Sequence, residues 1–171
     1  DFVRNILGYS EGELVFNSRL KLEQSASNSR PNSLSINSSL EGVGLSLPEP
    51  FNKEMSEEMP LSLNIDFGQQ QKITGSFGSN LGFSLVLTEG AIDSGIVYLS
   101  ETQSNLQNLV ANSTEGVAIV GDLAYLKLEQ WTDFLNGFGD GQTNRNEMDS
   151  MIAFVDIKLD ELELYEQILP D

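Results

Sequence analysis

The chain has 171 residues and a formal net charge of −17, and it contains neither cysteine nor histidine. Without these two residues, disulfides, thiolate metal sites and serine–histidine or cysteine–histidine catalysis are excluded. The strong negative charge repels phosphate groups, so we expect no nucleic-acid partner and no electrostatic docking to anionic membranes.

The hydrophobic fraction of 39% is sufficient for a packed core. The sequence has no run of about 18 apolar residues, so no segment is predicted to span a membrane. The chain begins at Asp1 without an initiator methionine or a signal-like segment. We therefore expect it to be an internal section of a longer protein.

Apolar and polar residues alternate along most of the chain, which is the period of a β-strand with one buried face. The clearest alternation carries Leu34, Ile36, Val43, Leu45, Leu47, Leu61, Leu63, Ile65, Phe67, Leu81, Phe83, Leu85 and Leu87, and later Val117, Ile119, Leu123, Val155, Ile157 and Leu159. Short connections at 68–71, 78–80 and 93–95 are typical of hairpins. The sequence predicts a mainly β fold with about eight to ten strands in a curved antiparallel sheet.

One short helix is predicted near the end of this pattern. The glycines that follow the helix would end it. The apolar residues that recur at helical spacing are Leu128, Trp131, Phe134, Leu135 and Phe138. We expect this helix to cover an end or face of the sheet, or to act as a lid. We divide the chain into a β-groove section at 1–139 that ends in the Trp131 helix, a polar linker at 140–150, and a tail at 151–171. The tail fits either a further strand of the same sheet, which we favour, or a helix.

The stretch at 40–65, LEGVGLSLPEPFNKEMSEEMPLSLNI, places a proline-rich corner between two alternating runs. Its prolines are expected to break strand pairing and redirect the sheet. The acidic residues Glu54, Glu57 and Glu58 do not have the spacing of a calcium loop. Glycoside cleavage by paired carboxylates is also disfavoured, since the chain has a single tryptophan to serve as a sugar platform. We predict no catalytic site, no metal site and no cofactor.

The same stretch resembles a motif of the YhdP-like branch of the AsmA-like superfamily. In that motif, alternating aliphatic residues lead into LPxPxxK, a variable acidic spacer and a PL pair that resumes the strand. The matching residues are Leu40, Gly42, Val43, Leu45, Leu47, Pro48, Pro50, Lys53, Pro60 and Leu61. The segments GAIDSGIVYL at 90–99 and GVAIVGDLAYLKLEQWTDFL at 116–135 are similar to later segments of the family and occur in the same order. The resemblance covers roughly residues 14–135, whereas the part after Gly137 matches little of the pattern.

This resemblance implies a section of a bridge-like lipid carrier of Gram-negative bacteria. Such carriers are anchored in the inner membrane and cross the periplasm as a long open β-groove, apolar inside and polar outside. The implied partners are phospholipid acyl chains and the remainder of the same long chain. The candidate groove-lining residues are Leu34, Ile36, Leu61, Leu63, Ile65, Phe67, Leu81, Phe83, Leu85 and Leu87.

Two other functions fit the same residues. A carbohydrate-binding or adhesin-like β-sandwich would seal these apolar side chains between two sheets, and a structural spacer would carry no cargo. The alternation itself fits an ordinary core as well as a groove lining. The distinguishing feature is whether the apolar side of the sheet stays open.

Overall fold

The computed structural model describes residues 8–22, 32–100, 115–137, 152–165 and 167–170. Its strands are β1 (Ser10–Gly12), β2 (Asn17–Lys21), β3 (Asn32–Ser38), β4 (Val43–Leu45), β5 (Leu61–Phe67), β6 (Gln71–Phe77), β7 (Leu81–Thr88), β8 (Ala91–Leu99), β9 (Gly116–Lys127), β10 (Ile152–Leu164) and β11 (Gln167–Pro170), and its helix is α1 (Leu128–Gly137). The predicted mainly β fold with a short helix is confirmed. The predicted linker at 140–150 lies outside the described residues.

Nine strands form one large sheet in the order β11-β10-β9-β8-β7-β6-β5-β3-β2, while β1 and β4 form a separate two-stranded sheet. The outermost strands, β2 and β11, are not neighbours, so the large sheet is open. The tail, for which the sequence favours a strand, supplies β10 and β11 at one end of this sheet.

The pairing of the large sheet is mixed, which differs from the predicted antiparallel arrangement. Every pairing from β2 to β8 is antiparallel, and so is that of β10 with β11. The pairs β8–β9 and β9–β10 are parallel. A parallel pair requires a long crossover connection, and the chain provides one at 100–115 and another at 128–151. The alternation within each strand carries no information on this choice, because it is the same for both directions.

Two hairpins lie where they were predicted, one at 78–80 and one at 68–70, since Gln71 of the predicted connection 68–71 belongs to β6. The turn between β7 and β8 lies elsewhere. It consists of Glu89 and Gly90, with φ of 54° and 85°. Two consecutive positive φ angles are what a two-residue type I′ hairpin requires. The prediction of a turn at 93–95 is therefore wrong, and these residues lie inside β8. The Leu85 side chain of β7 lies across Gly95, so a larger residue at position 95 would require Leu85 to move.

The proline-rich segment at 46–60, which we call the corner, connects β4 to β5 and folds over one end of the large sheet. Phe51 is 5% exposed and packs with Leu99 and Leu123. Lys53 is also buried, and its ammonium donates hydrogen bonds to the Val43 carbonyl at 2.7 Å and the Glu54 carbonyl at 2.9 Å. These contacts hold the corner together as a compact element.

Helix α1 is attached to the corner through aromatic side chains. Trp131 meets Phe51 edge to face at 5.7 Å between ring centroids, and its Nε1 donates a hydrogen bond to the Glu49 carbonyl at 3.0 Å. Phe134 continues the cluster, at 5.8 Å from Trp131 and 4.9 Å from Tyr9. The corner and α1 therefore lie over the same end of the sheet.

Candidate functional site

The register of the large sheet places all ten candidate residues on one face. Directly paired residues on neighbouring strands point to the same side of a sheet. The candidates are connected across the strands by direct pairs, which are Leu34–Ile65, Ile36–Leu63, Ile65–Ile73, Ile73–Leu85, Leu61–Phe77, Phe77–Leu81, Gly75–Phe83, Phe67–Gln71 and Gln71–Leu87. We call this side of the sheet the apolar face.

The apolar face also contains residues that were not among the candidates. They are Ile73, Phe77, Val97, Leu99, Ile119, Val155 and Ile157, each paired with a member of the same rows. The sequence signal for Ile73 and Phe77 is the alternation of β6, which Gly75 interrupts. An isolated glycine inside a strand indicates a close approach of neighbouring groups, and Gly75 meets the ring of Phe83.

The apolar side chains form rows that cross the strands. One row begins at Ile36 on β3 and ends at Val155 on β10, through Leu63, Gly75, Phe83, Val97 and Ile119. It makes six steps between neighbouring strands, which corresponds to about 29 Å at about 4.8 Å per step. The apolar face is therefore continuous over most of the width of the sheet.

The candidate residues are only partly buried. The buried hydrophobic residues of the described chain are Leu40, Val43, Phe51, Leu99, Val117, Ala118 and Leu123, and none of the ten candidates is among them. Nine candidates are half-buried, and Phe67 is 43% exposed. Within the described ranges, no second sheet seals these side chains as a β-sandwich would.

The opposite face is polar over β3, β5 and β6. Ser35 donates a hydrogen bond to the Asn64 side-chain oxygen at 2.9 Å, and the Asn64 amide donates to Asp66 at 3.0 Å. Other side chains on this face are Ser33, Asn37, Ser62, Lys72, Thr74 and Ser76. Over these three strands the sheet separates an apolar surface from a polar one, whereas on β7 and β9 the opposite face includes the buried Ser84 and Ala118.

The apolar face has two unlike margins along the strand ends. The first, the corner margin, is the row of Leu61, Phe77, Leu81 and Leu99. Of these, Phe77, Leu81 and Leu99 belong to the hydrophobic cluster that contains Leu47, Phe51 and Trp131. The second, the hairpin margin, comprises residues 67–71 and 87–91. At the hairpin margin the turns are exposed and Phe67 borders solvent.

A polar cluster lies at the far ends of β9 and β10. The Tyr125 hydroxyl donates a hydrogen bond to Glu163, and Lys127 Nζ lies 3.5 Å from Glu163 Oε2. Partial desolvation, followed by the hydrogen bond to Glu163, raises the pKa of Tyr125 above its ordinary value. The Glu163 carboxylate is the main cause of a raised pKa at Lys127. Glu129 of α1 accepts a hydrogen bond from the Tyr165 backbone, so the cluster connects the helix to the tail.

The described ranges contain no group of three acidic side chains placed to hold a metal ion. The helix found in them is too short and too polar to cross a membrane.

The sequence profile of the family described as YhdP protein matches residues 2–171, which is nearly the whole chain. No curated protein and no solved structure matches it. The chain therefore belongs to the YhdP family, a family of AsmA-like, bridge-like lipid transport proteins.

Proposed function

We propose that this chain is a section of a phospholipid conduit and that the apolar face carries the acyl chains. The observation that supports this most directly is the position of the ten candidate residues, which share one face of an open sheet and remain partly exposed. A contiguous apolar surface that remains partly exposed marks a site of interaction with an apolar partner.

The physical basis of the proposed binding is the hydrophobic effect. Each methylene transferred from water to an apolar surface contributes about 0.8 kcal/mol. A chain that lies across several neighbouring rows can place many of its methylenes against the apolar face. Rows of aliphatic side chains also have no directional preference, so a chain can slide along them as well as bind.

The wider setting is also part of the proposal. The conduit would lie in the periplasm of a Gram-negative bacterium, as part of an inner-membrane-anchored protein, and would carry phospholipid between the inner and outer membranes. The polar opposite face of β3, β5 and β6 would then meet the aqueous compartment. The remainder of the same long chain would extend the sheet beyond β2 and β11. The role is non-catalytic and needs no cofactor.

Photocrosslinking with a phospholipid that carries the reactive group on its acyl chain tests the proposal. Ile65→Glu places a carboxylate among Leu34, Ile73 and their neighbours on the apolar face. Losing contact with two methylenes of the acyl chain reduces the binding free energy by about 1.6 kcal/mol, so crosslinking should fall roughly tenfold or more. Mass spectrometry of lipids extracted from the purified parent chain should identify bound phospholipid.

Ser62→Glu is the matched control, since Ser62 lies on β5 and faces the polar side. It should crosslink like the parent. Phe67→Glu serves as a second test variant, because a residue that is already 43% exposed tolerates a charge without unfolding. Circular dichroism establishes that each variant is folded. Unchanged crosslinking in folded Ile65→Glu and Phe67→Glu, or an equal loss in Ser62→Glu, would overturn the proposal.

A further inference from the structure

The two margins of the apolar face offer a bound lipid different surroundings. At the corner margin, Phe51 is 5% exposed and Trp131 packs against it, so this border of the face is apolar and covered along Phe77, Leu81 and Leu99. At the hairpin margin, the turn at 68–70 is exposed and Phe67 lies beside water. The cross-section of the candidate site is therefore asymmetric.

The width of the face between these margins suits the length of a fatty acyl chain. Phe77 lies at the corner margin, in the cluster with Phe51 and Trp131, and Gln71 lies at the hairpin margin, at the opposite end of β6. Six residue steps of about 3.3 Å separate them, which is about 20 Å. A lipid can therefore lie across the face, with one end at each margin.

The polar end of a phospholipid loses hydration free energy if it is covered by aromatic side chains, whereas the end of an acyl chain gains from the same contact. We infer that phospholipid is bound in one orientation, with its headgroup at the hairpin margin and its acyl chain ends directed to the corner margin. This inference rests on the proposed function, because it assigns an orientation to the same ligand.

The chemistry of the hairpin margin fits the glycerophosphate part of a headgroup. The sequence there is Gly68 followed by three glutamines, and Gln71 sits on the apolar face between Phe67 and Leu87. A neutral amide can donate hydrogen bonds to phosphate oxygens, and it adds no negative charge to a chain that already carries −17. Gln71 is therefore the residue expected to contact the phosphate.

Fluorescence quenching by nitroxide-labelled phosphatidylcholine tests the orientation on the 171-residue chain. Trp131 is the only tryptophan and reports on the corner margin. The chain has no cysteine, so Gln70→Cys and Ser79→Cys each provide a single site for a fluorophore. These two positions are a matched pair, because both lie in hairpin turns, at opposite ends of β6.

A nitroxide at the acyl chain end should quench Trp131 and the probe at position 79 several-fold more strongly than the probe at position 70. A nitroxide on the headgroup should show the reverse order. Gln71→Leu should weaken headgroup quenching at position 70 while chain-end quenching of Trp131 persists.

Two results would overturn the orientation and leave the proposed function intact. Either the headgroup label quenches Trp131 more strongly than the probe at position 70, or each label quenches both margins equally. If neither label quenches any of the three probes and no lipid co-purifies, the proposed function itself fails, and the orientation fails with it.

Discussion

The ring of Phe83 lies across Gly75, its direct partner on the neighbouring strand of the apolar face. A β-carbon at position 75 would stand 2.6 Å from the Phe83 Cζ and 2.7 Å from the Ser62 carbonyl oxygen. Leu85 covers Gly95 in the same way, with its Cδ2 at 2.5 Å from the position that a β-carbon would take. Large side chains therefore lie along the sheet over glycines, which keeps the apolar surface continuous.

Gly75→Ala is expected to destabilise the chain, because the new methyl group requires both the Phe83 ring and the backbone of β5 to move. Overpacking of this kind typically costs about 1–3 kcal/mol in the free energy of unfolding. Urea denaturation followed by circular dichroism measures the change. Ser76→Ala, at the adjacent position on the opposite face, is the control and should change stability by less than about 0.5 kcal/mol. Equal stability of the two variants would mean that Phe83 is free to leave Gly75.

Trp131 holds α1 to the corner through a ring contact and a hydrogen bond, so its removal should loosen both elements. Trp131→Ala is expected to lower the free energy of unfolding by about 2–3 kcal/mol, less than for a fully buried aromatic residue. Trp131→Phe retains a ring and loses the bond to the Glu49 carbonyl, so a loss of about 1 kcal/mol is expected.

Chemical denaturation of both Trp131 variants tests this order. Asp133→Ala, on the exposed side of the same helix, is the control and should remain close to the parent. A Trp131→Ala variant as stable as Asp133→Ala would show that the corner stays in place without the helix.

The alternation in the sequence is sufficient to identify the apolar face but not the order of the strands. Leu61 to Phe67 alternates without a break, so the side chains of β5 can be assigned to two faces from their order in the sequence. The helix around Trp131 also follows from local spacing. Both are properties of contiguous residues.

The elements that sequence alone does not reveal depend on distant partners. Trp131 bonds to Glu49, which is 82 residues away, and nothing local to either residue indicates the other. The parallel pairing of β8 with β9 likewise depends on where the crossover places the next strand. The turn at Glu89 and Gly90 was not predicted because the sequence at 93–95 also resembles a turn. In the structure, Gly95 instead lies inside β8, where it packs against Leu85.

Lys53 of the corner is expected to contribute to stability through its ammonium rather than through its aliphatic chain. Lys53→Met keeps most of the apolar volume but removes the donor for the Val43 and Glu54 carbonyls. A buried carbonyl that loses its partner costs about 1–3 kcal/mol, so the free energy of unfolding should fall by about 2 kcal/mol. Denaturation with urea, with the exposed Lys72→Met as the control, measures this loss. A Lys53→Met chain more stable than the parent would show that desolvation of the charge outweighs its two hydrogen bonds.

The contact of Tyr125 and Lys127 with Glu163 should fail at alkaline pH. Both pKa values are raised in the folded chain, from ordinary values of 10.0 and 10.5. A raised pKa means that the folded state holds its proton more tightly, so the stabilisation is present below about pH 10 and is lost as the pH rises through the raised values.

The absorbance of tyrosinate during an alkaline titration provides the measurement. Of the four tyrosines in the chain, Tyr125 should contribute a late step, which Tyr125→Phe removes and Glu163→Gln shifts to lower pH. Tyr165→Phe is the matched control, since Tyr165 is 84% exposed and its loss leaves the bond between Tyr125 and Glu163 in place. A late step that persists in Tyr125→Phe would assign it to another tyrosine. If the step is present but Glu163→Gln does not move it, the Glu163 carboxylate is not what holds the proton on Tyr125.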